Sequence, residues 1–184
     1  MSRDKRGFTL IELLIVVAII GILAALLIPN AMAATQKARQ KGTMKDINTI
    51  ATAITDYTTD KGFAPDWSSG PVDSDMATIV ADLSPFYIKA FPRRDQWSFD
   101  FIIYTRASAN GQYGVSYADG SDFGEDEYLV ASNGRNGTAG EVTYDPATPA
   151  GGIYIVASMA DFDKELVVWN GSWIIGPRAA STGS

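Results

Sequence analysis

Hydrophobic residues are spread very unevenly along this chain. From Phe8 to Pro29 they run almost without interruption, FTLIELLIVVAIIGILAALLIP, with Glu12 as the one charged residue. At about 1.5 Å per residue, a helix of that length spans a hydrocarbon core of about 30 Å. Beyond Pro29 the pattern turns amphipathic. Ile47, Ile50, Ile54 and Tyr57 recur at intervals of three and four and fall on one helical face. The spacing predicts one helix from Phe8 to about Asp60, roughly 75–80 Å long, ending at Lys61-Gly62. Two breakers, Gly21 and Pro29, lie inside it; the isolated chain is expected to stay helical through both, with a gentle kink. Ala31, Ala33, Ala34 and Ala38 are small enough to allow close helix packing.

After Gly62 the period shortens. A connector over residues 63–90 contains Ala64-Pro65 and Ser68-Ser69-Gly70-Pro71. It then predicts a short helix from Met76 to Leu83, capped near Asp73 or Ser74 and ended by Ser84-Pro85. Strand-like runs follow at Phe99–Tyr104, Tyr113–Tyr117, Glu127–Ala131, Ile153–Ala157, Leu166–Trp169 and Ser172–Ile175. Ala109-Asn110-Gly111 predicts a hairpin between the first two runs, and Asn170-Gly171 a two-residue hairpin between the last two. The tail, Pro177 to Ser184, is small and polar and is expected to be disordered. The expected fold is α+β: a long N-terminal helix, its amphipathic half over residues 30–61 packed on a small antiparallel sheet formed within residues 62–176.

Composition narrows the chemistry. There is no cysteine and no histidine, which removes disulfides, the commonest general base and the commonest transition-metal ligand. With nothing to activate a nucleophile, no catalytic residue is assigned and an enzyme is not expected. Charge is split: residues 1–61 hold eight Lys and Arg against five Asp and Glu, a net of +3, while residues 62–184 hold seven against sixteen, a net of −9. An acidic head argues against nucleic-acid binding. The basic cluster Lys37, Arg39, Lys41 and Lys45 reads either as a solvated helix face or as a contact for acidic heads of neighbouring copies or anionic lipid.

Glu12 is out of place in a simple anchor, because a carboxylate in an apolar span is costly and needs a partner. No Lys, Arg or His lies between Phe8 and Gln36. The nearest cation would be a new α-amino group, made if the chain were cut after Gly7. The basic leader Arg3, Lys5 and Arg6, then Gly7-Phe8-Thr9-Leu10-Ile11-Glu12 and the apolar run, resembles the prepilin signature of type IV pilins and type II secretion pseudopilins. That resemblance implies a type IV pilin-like fold. It also implies removal of leader 1–7 by a prepilin peptidase, N-methylation of Phe8, and use of helix 8–29 both as a transmembrane anchor and as the core of a homo-oligomeric filament. In such filaments Glu12 pairs with the Phe8 amine of a neighbour, and Gly21 and Pro29 bound a segment that melts on assembly.

The resemblance extends into the head. Pro92-Arg93-Arg94-Asp95-Gln96-Trp97, Glu127 to Gly137, and Asp161-Phe162-Asp163 before Val167 to Gly171 are similar to stretches of the major type II secretion pseudopilin. Ser98 replaces that family's Gly, Asn136 stands where its loop Asp would be, and a stretch of roughly 141–156 is extra. The resemblance implies a calcium ion in this loop, which Asp161, Asp163, Asn133 and Asn136 would hold with their oxygens; the bland reading is a solvated acidic loop. The acidic group Asp119, Asp122, Glu125, Asp126 and Glu127 lacks an EF-hand pattern. The expected role is a structural subunit of a secretion pseudopilus, with an inner-membrane anchor, a periplasmic head, an assembly platform and minor pseudopilins as partners. The alternatives are a type IV pilus pilin for adhesion, motility or DNA uptake, and a membrane-anchored enzyme or binding module that borrows the signal.

Overall fold

A computed structural model describes residues 8–67, 70–71, 76–117 and 119–178. The long helix, α1, runs over Leu10–Lys61 and is continuous through Gly21 and Pro29. Pro29 has no N–H to offer the Ala25 carbonyl, yet the turns on either side hold the helical path. At the far end Gly62 takes a positive φ of 83° and its N–H reaches the Thr58 carbonyl at 2.8 Å, which closes the helix where a residue with a Cβ would be strained. The chain divides into two compact units within α1, at Lys37 and Ala38.

In the first unit the apolar side chains face outward all round the helix. Leu10, Leu26, Leu27 and Ile28 are each more than half exposed, and the segment has a mean hydropathy of 3.1 over an 18-residue window. It is long and apolar enough to cross a membrane.

In the second unit α1 has an inner face. Ile47, Ile50 and Ile54 are fully buried, as their spacing predicted, and Tyr57 packs at the edge of the same core. They meet α2 (Met76–Leu83) through Ile79 and Leu83, and one face of a sheet through Ile103, Tyr128, Val130, Leu166 and Val168. The opposite sheet face carries Leu129, Ala131, Val167 and Ile175. It is covered by Ala109, Val115 and Phe123 from the connecting segments and by Tyr154 of the edge strand. Burial on both faces explains why these strands read as unbroken apolar runs instead of alternating ones.

The strands are β1 (Gly70–Pro71), β2 (Ile102–Thr105), β3 (Tyr128–Ser132), β4 (Ile153–Ile155), β5 (Leu166–Trp169) and β6 (Ser172–Arg178). They lie in the order β1-β2-β3-β5-β6-β4. Ile103 pairs with Val130, and Val130 with Val168, so the central register lines up one apolar row. Asn170 and Gly171 both take positive φ, 45° and 80°, as the predicted two-residue hairpin between β5 and β6 requires.

Four expectations change. The first apolar run pairs with neighbouring strands only from Ile102, although Phe101 is fully buried. The Tyr113–Tyr117 strand does not form: residues 106–109 and 112–114 are 3₁₀ turns. Both edges of β2 are already taken, by β1 and β3, so a third strand has nowhere to pair. The sheet is not wholly antiparallel, because β4 runs parallel to β6. Pro177 and Arg178 belong to β6, where they pair with Tyr154 and Ile155, and are not part of a tail. The leader 1–7, the expected cap at Asp73 or Ser74 and the tail beyond Arg178 lie outside the described residues.

Candidate functional site

Two places carry the candidate residues. The first is the start of α1. Gly7 lies outside the described residues, and Phe8 is 84 % exposed. The Glu12 carboxylate accepts from the Thr9 backbone N–H at 2.8 Å and the Thr9 hydroxyl at 2.7 Å. In return the Glu12 N–H donates to the Thr9 hydroxyl oxygen at 3.3 Å. This reciprocal pair is a capping box, T-x-x-E, which satisfies two of the helix's otherwise unpaired N–H groups. The sequence reading of Glu12 as an ion-pair partner missed this local role, although Thr9 and Glu12 stand at the required spacing. Phe8 lies just before α1 and Glu12 lies in its first turn, so a terminal amine created at Phe8 would stand four residues ahead of this carboxylate. Gly21 and Pro29 are in regular helix, and a Cβ added at Gly21 would meet nothing within 4 Å.

The second place is the loop that follows β3, where the structure assigns each candidate calcium ligand a protein partner. Asp161 comes first. It sits in a 3₁₀ turn, Met159–Phe162, and one of its oxygens accepts from the Ala157 and Ser158 N–H groups and the Ser158 hydroxyl. Its other oxygen receives the Lys164 ammonium at 2.6 Å. That contact, with the two backbone donors, holds the Asp161 carboxyl far below the usual carboxylate range. Asp163 takes a two-pronged bond from the Arg135 guanidinium, Nε to Oδ1 and Nη2 to Oδ2, both at 2.8 Å. The same bond raises the Arg135 pKa above its ordinary value. Asn133 Oδ1 accepts from the Tyr113 hydroxyl at 2.7 Å, and Asn136 Oδ1 from the Thr138 N–H at 2.9 Å.

As they are placed here, these residues do not fit a calcium cage, because the oxygens that would face the ion are turned to protein donors. A calcium ion takes about 6–8 oxygens. Here both carboxylates face fixed cations and both amide oxygens accept hydrogen bonds. Among the described residues no three acidic side chains come together as a metal-holding group. The same holds for the acidic residues between Asp119 and Glu127. Glu127 is buried and accepts from the Tyr117 hydroxyl and the Gly124 N–H, while Asp119 and Asp122 bond Ser121 and Asn110.

Three residues that sequence reasoning did not single out organise this loop. Arg135 is the first. Glu165 is the second: fully buried, it accepts from three successive backbone N–H groups, those of Gly140, Glu141 and Val142. Asp95 is the third: it accepts from the Trp97 and Phe99 N–H groups and, at 2.7 Å, from the Ser132 hydroxyl. Burial pushes Asp95 up, against the pull of those donors. A signal for Arg135 was present, since a cation-binding loop gains nothing from a positive charge beside its proposed ligands. Glu165 carried no local signal.

A family model described as the prokaryotic N-terminal methylation motif matches residues 2–28. The type II secretion system core protein G of Vibrio cholerae is 32 % identical over 133 residues, 67 % of this chain and 87 % of that protein. That of Klebsiella michiganensis is 37 % identical over 128 residues, 65 % of this chain and 86 % of that protein.

The chain belongs to the type II secretion core protein G family.

It is a pilin-like protein of the pseudopilin type, and the similarity is not confined to the helix. The core protein G of Dickeya chrysanthemi aligns over 183 residues, 100 % of this chain and 95 % of that protein, at 26 % identity. No solved structure matches the chain. Within the family's frame the α+β head stands as expected, with a long apolar-then-amphipathic helix against a mostly antiparallel sheet.

Proposed function

We propose that this core protein G acts by assembly and not by turnover, as the structural subunit of a helical pseudopilus that serves protein export. In this reading a prepilin peptidase cuts after Gly7 and methylates the Phe8 amine. Helix 8–29 holds the subunit in the inner membrane with the acidic head on the periplasmic side. The subunit then passes, with minor pseudopilins and an inner-membrane platform, into a homo-oligomeric filament whose core is made of the same helices.

The observation that carries the reading is Glu12. A lone carboxylate in an exposed apolar helix is expensive in lipid unless it meets a cation. Its own helix supplies only neutral donors, from Thr9. The amine freed at Phe8 supplies the missing charge, and a neighbouring helix, shifted along its axis, brings that amine to Glu12. Intact-mass measurement tests the first step. The membrane form is expected to lack Met1 to Gly7 and to carry one methyl group at Phe8, and Gly7→Val is expected to leave the full-length precursor in the membrane. Recovery of uncut chain from assembled filaments would refute it.

A further inference from the structure

We propose that Arg135 does in this head what a bound metal ion would otherwise do: its guanidinium ties the loop after β3 to the 161–165 segment, and the head keeps its fold without calcium. The inference goes beyond the assembly reading and does not depend on it.

The segment Asp161-Phe162-Asp163-Lys164-Glu165 carries a carboxylate at every second position, and each is used inside the protein. Asp161 caps its own turn and binds Lys164. Asp163 faces Arg135 through two parallel bonds, a geometry in which both donor and acceptor are directional as well as charged. Glu165 gathers the N–H groups of residues 140–142. The loop is therefore held near both ends, by Arg135 at its start and by Glu165 at its finish.

At the first of those ties the loop lies directly on the segment. The Arg135 N–H donates to the Phe162 carbonyl at 2.8 Å. Gly134 takes a φ of +70°, and a Cβ there would sit 2.5 Å from the Lys164 carbonyl oxygen and 2.8 Å from that of Asp163. At Gly134 backbone meets backbone, so no ion with its shell of oxygens fits between the two chains there. Asp161 and Asp163 each face a cation, one ammonium and one guanidinium, while Glu165 is met by backbone N–H groups. A divalent ion placed on Asp163 would have to displace Arg135 and then lie beside it, and like charges at a few ångströms repel. Asn136, neutral, matches a loop that has no cation to neutralise.

The experiment uses the full mature chain in detergent micelles. All four tryptophans, Trp67, Trp97, Trp169 and Trp173, lie beyond the long helix, so their fluorescence reports unfolding of the head. The wild-type melting temperature is expected to be the same in millimolar calcium chloride and in chelator. Arg135→Gln is expected to lower it by about 4–8 °C in both solutions. Arg135→Lys keeps the charge but loses the fork and should fall between; it also serves if Arg135→Gln does not fold. A wild-type melting temperature that rises with calcium and drops with chelator overturns the proposal. So does an unchanged melting temperature in both Arg135→Lys and Asp163→Asn.

Discussion

Helix α1 contains two stretches with the same backbone and opposite surroundings. Between Leu10 and Met32 its leucines and isoleucines are exposed, with Leu26 at 67 % and Leu27 at 65 %. Between Gln40 and Ile54 even polar side chains are buried: Gln40 is 4 % exposed and Thr43 not at all. The buried polar groups have partners. Gln40 donates to the Tyr154 hydroxyl at 3.4 Å, and the Thr43 hydroxyl accepts the Gln96 N–H at 3.2 Å. Burial in this chain thus follows what lies opposite a residue and not the residue's own hydropathy. The first stretch has no facing element within the described chain, so its apolar surface is available to lipid or to other copies. The second is already occupied by the sheet.

The largest expected effect falls on the first stretch. In the proposed filament, removing the partner of the Phe8 amine would leave a buried charge alone, a loss of about 3–5 kcal/mol per contact. Glu12→Val subunits should insert and be processed but form no filaments under the electron microscope. Glu12→Gln keeps the shape and an acceptor for Thr9 but loses the charge, and should also be impaired. Filaments of normal length from Glu12→Val alone would count against the pairing and leave the capping box as the role of Glu12.

A core truncation contrasts the two stretches directly. Ile50→Ala removes a fully buried side chain between α1 and the sheet and should cost the head about 2–5 kcal/mol in denaturant unfolding. Ile20→Ala, at 59 % exposure in the first stretch, should leave head stability unchanged. Equal losses would mean that the apolar stretch is coupled to the head fold.

Glu165→Gln comes next. An amide NH₂ in place of one carboxylate oxygen confronts at least one of the three N–H donors of residues 140–142. The expected loss is about 1–3 kcal/mol, with faster amide hydrogen exchange confined to that loop.

The smallest effect is the acid limb of the stability curve. Asp161 has its carboxyl depressed by Lys164 and the turn's N–H groups. A depressed carboxylate contributes stability that is present above its unfolded value, about 3.9, and is lost as pH falls below it toward the folded value. Asp161→Asn should therefore flatten the decline in melting temperature below about pH 4 and leave the curve near neutrality with a constant offset. An unchanged acid limb would remove Asp161 from the head's pH dependence.

Much of this protein was legible in the order of its residues. The apolar run, the i, i+3, i+4 spacing of Ile47, Ile50 and Ile54, the Gly62 stop, the helix at Met76–Leu83 and the Asn170-Gly171 hairpin all depend on neighbours a few positions apart. Helical period, chain reversal and positive φ are properties of local chain geometry. The N-terminal signature is local for the same reason. Tertiary structure decided the rest. Residues 113–117 look like a strand, but both edges of β2 were taken by Gly70–Pro71 and β3. β4 pairs with β6 along the edge that β5 leaves free, and runs parallel to it. Asp161 and Asp163 look like metal ligands until Lys164 and Arg135 arrive beside them. Glu165 has no recognisable role until the chain returns and sets the N–H groups of 140–142 against it. Asp161 apart, whose partners lie within four residues of it, the outcome was a competition between distant groups for one edge or one carboxylate, and sequence spacing holds no record of which group reaches it.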